Sequence, residues 1–350
     1  MLMGTGQQAP ANTLALFYVI NLVIALGVLV LGGTFLAKRW HGLRNLPESP
    51  ARTILAVGLA GLWILDGLLQ AQPLMATAFI SELVAPAAQE QPRILYELMH
   101  FGMHIWNQHP ISWDIVAIWV QIGIGLAILL GSERRGRRVG LLLSIVWSLV
   151  VWVFGEGLGS LFSGGSMLLG SPGSAPLYTL AAVALLIPSG AWPARVKCRL
   201  VRASMILLWL LSAFLQAWPP NQWWSARQLF GYFHSQASMP EPAAISAPIY
   251  AVAHLAQAHP VFTNGVLTAL FLAIAALWAF NRTLHAAWLS TTIVSFLVWW
   301  LGQDFGVFGG MGTDPNTAAL ILLALAVMRW SPLTRTAKPS PRPTYQSSAS

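Results

Sequence analysis

The chain has 350 residues, 56% of them hydrophobic and 9% charged, with 19 Lys and Arg against 11 Asp and Glu. A soluble domain carries about 25% charged residues, so this composition, with a mean hydropathy of +0.63, describes a chain whose solvent is lipid. The single cysteine, Cys198, excludes an internal disulfide framework and any Cys-based zinc or iron–sulfur site, and the net charge of +8 is not interleaved with aromatics as nucleic-acid binding requires.

Residues 1–12 have no basic leader, and the apolar run 13–37 is too long for a signal-peptide core, so it reads as a retained first span. Further apolar runs follow at 54–72, 113–131, 139–158, 174–190, 203–218, 261–280, 284–302 and 315–330. The expectation is an all-α integral membrane protein with nine transmembrane helices. Alternate breaks hold 17 of the 19 basic residues, and the opposite side keeps only Arg93 and Arg227. That bias marks a cytoplasmic face, with the N-terminus outside, the C-terminus inside, and the whole in a bacterial cytoplasmic membrane. The tail 331–350, rich in Pro, Ser and Thr, reads as a disordered cytoplasmic end. Trp106, Trp113, Trp218, Trp223 and Trp224 mark the outer boundary, and Trp40, Trp192 and Trp330 the inner one.

The chain then repeats itself. Leu69-Gln70-Ala71-Gln72-Pro73 returns as Leu215-Gln216-Ala217-Trp218-Pro219, and the prolines 86 and 92 as 242 and 248. His104 and His109-Pro110 return as His254 and His259-Pro260, and Trp152-Val-Phe-Gly155-Glu156 as Trp299-Trp-Leu-Gly302-Gln303. In chain order the offsets are 146, 156, 150 and 147. Four blocks in order at a near-constant spacing point to duplication. The division expected is a leading span and loop over 1–53, two parallel four-helix repeats over 54–190 and 191–330, and the tail. Ser171-Pro172 and Asp314-Pro315 would open the fourth spans as N-cap residues followed by proline.

Polar residues inside apolar runs are the candidates for function. Asp66 lies about two thirds of the way along its span, where a charged group costs roughly 2.5–3.5 kcal/mol, so it should face protein or water. Gln70 is one turn further out, and Gln216 is its counterpart, while Ser212 replaces Asp66. Glu156, Gln303 and Asp304 end the third spans amid glycines that permit close backbone approach. They are either site elements or solvated turn acids. Asp114 and its counterpart Asn264 read as helix-start polar residues. His104, His109, His254 and His259 survive duplication and would either ring the outer mouth or satisfy backbone at helix junctions. Glu97, His100 and His104, spaced i, i+3 and i+7, would share one helix face. That face suits a transition metal or, equally, an interfacial helix. No P-loop, GxSxG, HExxH or CxxCH motif is present.

Gly61-Leu-Trp-Ile-Leu-Asp66-Gly-Leu-Leu-Gln70 and the Glu156 segment resemble the DoxX/DoxD-like group of small bacterial membrane proteins, with two units fused behind an extra span. The resemblance covers 54–330. It implies an association with redox chemistry, with a transition metal, haem or quinone as cofactor and a membrane redox partner or subunit besides the lipid bilayer. Three functions follow as expectations: a redox- or metal-associated His/carboxylate site at the outer face, a small-solute permease acting at the repeat interface, or a non-catalytic subunit of a membrane complex. All require Asp66, Gln70, His104, His109, Glu156, Gln216, His254, His259 and Gln303 to point inward, because lipid offers polar groups no partner.

Overall fold

The computed structural model describes residues 15–28, 30, 49–131, 135–188, 201–307 and 312–330. The predicted tail, part of the first span and most of two basic loops lie outside them. All regular structure among these residues is helical. The long helices are α1 (Ala15–Val28), α2 (Pro50–Gln70), α3 (Arg93–Gln108), α4 (Pro110–Leu130), α5 (Gly136–Phe154) and α6 (Ala175–Leu186). The second half contributes α7 (Val201–Ala217), α8 (Ala226–Ala237), α9 (Ala243–Ala258), α10 (Pro260–Ala279), α11 (Leu284–Leu297) and α12 (Asn316–Trp330).

Five apolar helices are long enough to cross a bilayer: α2, α4, α5, α10 and the segment Asn281–Gly302 that contains α11. Their outward faces are apolar, so the chain is an all-α membrane protein. The remaining four predicted spans coincide with the shorter apolar helices α1, α6, α7 and α12. Span ends shift by a few residues for local reasons. Pro110 and Pro260 start α4 and α10 at the first helical position, before the apolar runs begin. Each proline bars its preceding residue from helical angles. His109 (φ −145°, ψ 63°) and His259 (φ −136°, ψ 60°) therefore break α3 from α4 and α9 from α10 in the same way. The third span ends at Phe154 rather than 158, and a turn with left-handed residues follows.

In the first half α2 packs along α4, and α5 packs along α6, around a core of Leu59, Trp63, Ile124, Leu141 and Tyr178. In the second half α7 packs along α10 and α11 along α12, around Trp209, Phe271 and Trp278, with α8 and α9 laid over them. Helix α12 lies between the halves. Its Leu320 and Val327 join the first core and its Ile321 and Leu325 the second. Helix α1 leans on α4, where the Trp119 indole donates to Asn21 (2.9 Å).

Three hydrogen bonds recur at matching places. Gln70 donates to Asp114 and Gln216 to Asn264, both at 2.6 Å. Ala175 N donates to Glu156 and Ala318 N to Gln303, both at 3.2 Å. Trp152 donates to the Pro172 carbonyl (2.8 Å) and Trp299 to that of Pro315 (2.7 Å). The turns match too. Gly159 (φ +64°) and Gly306 (φ +68°) take left-handed angles with the Pro172 and Asp314 carbonyls 2.0 and 2.3 Å from where a Cβ would stand, a place only glycine fits.

The Gln70–Asp114 bond corrects the helix-start reading of Asp114, which is fully buried against α2. It also makes a prediction. Because Asn264 serves in the same bond, Asp114→Asn should change stability by less than about 0.5 kcal/mol, whereas Gln70→Leu, which strands Asp114, should cost about 1–3 kcal/mol. Denaturation in detergent would measure both, and a costly Asp114→Asn would refute the equivalence.

On the predicted cytoplasmic side, basic side chains finish helices. Arg52 donates to the Leu185 and Ile187 carbonyls (2.6 Å each), Arg137 to Ile128 (3.1 Å) and Arg202 to Trp278 (2.5 Å). Helix C-termini leave carbonyls unpaired and carry partial negative charge, so cations there serve packing as well as topology.

Candidate functional site

A cavity of ≈ 670 Å³ lies at the ends of α2, α5, α6 and α12 and against α4. Three carboxyl groups line it: Asp66, Glu156 and Asp314. The start of α6 gathers them. Tyr178 donates to Asp66 Oδ2 (2.6 Å) and Ser174, one helical turn earlier, to Glu156 Oε1 (2.6 Å). Ser174 also faces Asp314. Two helix N-termini support the acids. Glu156 accepts the Ala175 N–H of α6, and Asp314 the Asn316 N–H of α12 (2.6 Å).

Three buried polar atoms on the cavity wall have no partner among the described residues: Asp66 Oδ1, Glu156 Oε2 and the Trp147 indole nitrogen. Asp66 is 3% exposed. Glu156 and Asp314 lie outside the spanning helices. Burial, and then the neighbouring Asp314, pushes Glu156 up to about 8, and burial likewise raises Asp314. Among the described residues no Lys, Arg or His lines the cavity. The wall is aromatic, with Trp63, Phe79, Trp106, Trp113, Trp147 and Phe154. Four lining residues, Phe101, Trp113, Val116 and Val150, are at the same time exposed on the outer apolar surface of α3, α4 and α5. Leu169 of the outer loop lines the cavity as well and is 39% exposed, so the rim runs from these helices to that loop. Beneath the cavity Leu59, Ile124 and Ala182 are buried in the first core, so the opposite end is closed.

Of the residues expected from sequence, Asp66, Gln70 and Glu156 converge on this cavity. Gln216 and Gln303 do not. They hold the first half's outer loop instead: Ser166 donates to Gln216 (2.5 Å), and Gln303 donates to the Met167 carbonyl (2.9 Å). Met167 and Leu168 are thereby driven into the second core. Asp304 is buried beside Glu241, near neither. Burial, with Asp304 adding to it, pushes Glu241 up to about 8. An acid raised by folding adds stability below its unfolded value and loses it as pH rises through the folded one. The melting temperature should accordingly fall as pH rises through about 8, and Glu241→Gln should flatten that fall. An unchanged slope would contradict the raised Glu241 carboxyl.

The histidines are a correction. His104, His109, His254 and His259 are all exposed, and none reaches Asp66 or Glu156. The Pro that follows His109 and His259 sets the junction, and the inner faces of α3 and α9 are taken by Leu95, Met99 and Met103 and by Ile249, Ala253 and Ala256. His109 borders only a shallow depression that shares Trp113 and Val116 with the cavity rim. The metal trio fails as well. Glu97 pairs with Arg93 (2.8 Å) on the exposed face, and His100 stacks with Tyr96. Among the described residues no three His, Cys, Asp or Glu side chains gather closely enough to hold a metal ion.

Sequence reasoning overlooked Asp314, Ser174, Tyr178 and the tryptophan wall. Asp314 had a signal, since like Glu156 it is an acid in a Gly-rich outer turn. Its reading as an N-cap with Pro315 at the first helical position does not hold, nor does that of Ser171, because α12 starts at Asn316 and α6 at Ala175 behind Ser174; burial beside Glu156 gives Asp314 its role. Neither a family model, nor a curated protein, nor a solved structure matches this chain.

Proposed function

We propose that this is a multi-pass protein of the bacterial cytoplasmic membrane that binds a small lipid-soluble molecule in the carboxylate cavity, as the binding step of a permease. The observation that carries this reading is the cavity itself, in which Phe101, Val116 and Val150 of the apolar outer surface and the buried acids Asp66 and Glu156 line one space. Its volume falls within the roughly 300–1,000 Å³ of small-molecule sites. Orphaned polar groups beside an apolar wall favour a ligand with an apolar body and a polar head. The closed floor suits one state of an alternating-access cycle. The resemblance to the DoxX/DoxD-like group adds a redox reading, with a quinone in the same cavity.

Native mass spectrometry of the purified protein with dodecyltrimethylammonium and with decylubiquinone tests the site. At least one should be retained one-to-one and be lost from Val116→Trp and Val150→Trp, which block the rim without touching the core. If neither is retained, or both variants keep it, the reading falls.

The same reading includes nine spans, N-terminus outside, built as two fused units. The 17-to-2 split of basic residues and the three recurring hydrogen bonds support it. Cysteines placed at Gln89 and Ser238 should label with an impermeant reagent in intact cells, and one at Ser340 should not. The opposite pattern would invert the topology.

A further inference from the structure

Resting on that binding site, we propose that its ligand is an amphipathic organic cation, held with its charged head among Asp66, Glu156 and Asp314 and its apolar body along the tryptophan wall. The three acids come from separate parts of the chain, yet among the described residues no basic side chain accompanies them on the cavity wall. Burial disfavours the ionised form of these carboxyl groups, and a cation entering among them would offset that cost as they give up a proton. Asp66 and Glu156 line the cavity, and Asp66 Oδ1 and Glu156 Oε2 are buried with no hydrogen-bond partner among the described residues. Indole faces attract cations, most strongly where water is excluded. Because the rest of the wall is apolar, the cation must carry apolar bulk, which excludes small inorganic ions.

The second half supplies an internal comparison. At the positions of Asp66 and Glu156 it has Ser212 and Gln303, while Asp314, itself in the second half, is matched by Ser171 of the first. There the neutral residues meet the protein's own backbone. Gln303 donates to the Met167 carbonyl and Ser171 to that of Gly159 (2.7 Å), while Met167 and Leu168 fill the space. Where polypeptide fills the space, the residues matching Asp66 and Glu156 are neutral. Where the space is open, they are acids and Asp314 joins them. Charge thus goes with the open space rather than with the fold.

The groups facing Glu156 are Asp66 of α2, Asp314 ahead of α12, and Ser174 and Tyr178 of α6; none brings positive charge. Burial, and then Asp314, pushes Glu156 up to about 8, so it keeps its proton at neutral pH. The bound cation then replaces a carboxyl proton, which leaves to solvent. Affinity should rise about tenfold per pH unit over the range in which one proton is released per cation bound.

The experiment compares dodecyltrimethylammonium with neutral dodecanol and decylubiquinone on the purified protein. The variants are Asp66→Ser, Glu156→Gln and Asp314→Ser. Each installs the residue that the other half already accommodates at the matching position. The cation should bind, each variant should weaken it at least about tenfold, and its affinity should rise between about pH 6 and pH 8. Neutral probes should bind more weakly and keep their affinity in the variants, which also shows that the variants fold. A neutral probe that outcompetes the cation, or variants that leave cation binding unchanged, would overturn the ligand class and leave the cavity reading intact. If no probe binds, both fail.

Discussion

Gly67→Ala and Gly125→Ala should each destabilise the protein by about 1–3 kcal/mol, although alanine is the better helix former by about 1 kcal/mol. The two glycines form a reciprocal contact between α2 and α4. A Cβ on Gly67 would stand 2.8 Å from the Ile118 carbonyl, and one on Gly125 would stand 2.6 Å from that of Ala60. In lipid the apolar faces of helices gain little from leaving solvent, so close backbone approach supplies much of their attraction. A methyl group at either crossing must push the backbones apart. It would also shift Gln70 against Asp114 and tilt the outer end of α2, where Asp66 sits. The same two helices carry their own controls. Gly61 and Gly123 have nothing within 4 Å of an added Cβ. Gly61→Ala and Gly123→Ala should therefore be neutral or mildly stabilising. Thermal denaturation of the four variants in one detergent decides the matter. Equal effects at all four positions would mean that the α2–α4 crossing is not where this contact places it.

Leu168→Ala should cost about 2–5 kcal/mol, the usual range for emptying a buried leucine site. Leu168 is 2% exposed and packs with Met167 in the core of the second half. The segment cannot slide inward to fill the gap. Ser166 is tied to Gln216, the Met167 carbonyl accepts from Gln303, and Tyr232 places its hydroxyl between the carbonyls of Leu168 and Gly302 at 2.7 and 2.5 Å. A pinned backbone relaxes little, so the upper part of the range applies. Leu169, the next residue, is 39% exposed, and Leu169→Ala should cost less than about 1 kcal/mol. A loss at Leu168 no larger than at Leu169 would show that the loop does not plug the second half.

Both predictions concern features that no single stretch of sequence displays. A glycine in an apolar helix reads the same whether it meets a backbone or open space, and Gly123 and Gly125 are two residues apart. Met167-Leu168-Leu169 reads as an apolar patch in a Gly-rich loop. Only the partner surface tells which of the three is buried.

What the sequence determined by itself was whatever depends on composition and on neighbours along the chain. Hydropathy decided that the helices are apolar and suit lipid. Pro110 and Pro260 decided where α4 and α10 begin, because proline restricts the residue before it wherever it stands. The cost of a carboxyl group in lipid decided that Asp66 faces protein, and the glycines around Glu156 marked a close approach. The tertiary structure decided the facing of each helix and the company each acid keeps. His104 and His254 point outward because the apolar stripes of α3 and α9 turn inward, and the expected site lost its histidines. Asp314 joined Asp66 and Glu156 because α12 packs between the two halves. The rotation of a helix about its axis is settled by what it packs against, and that partner often lies in a distant part of the chain.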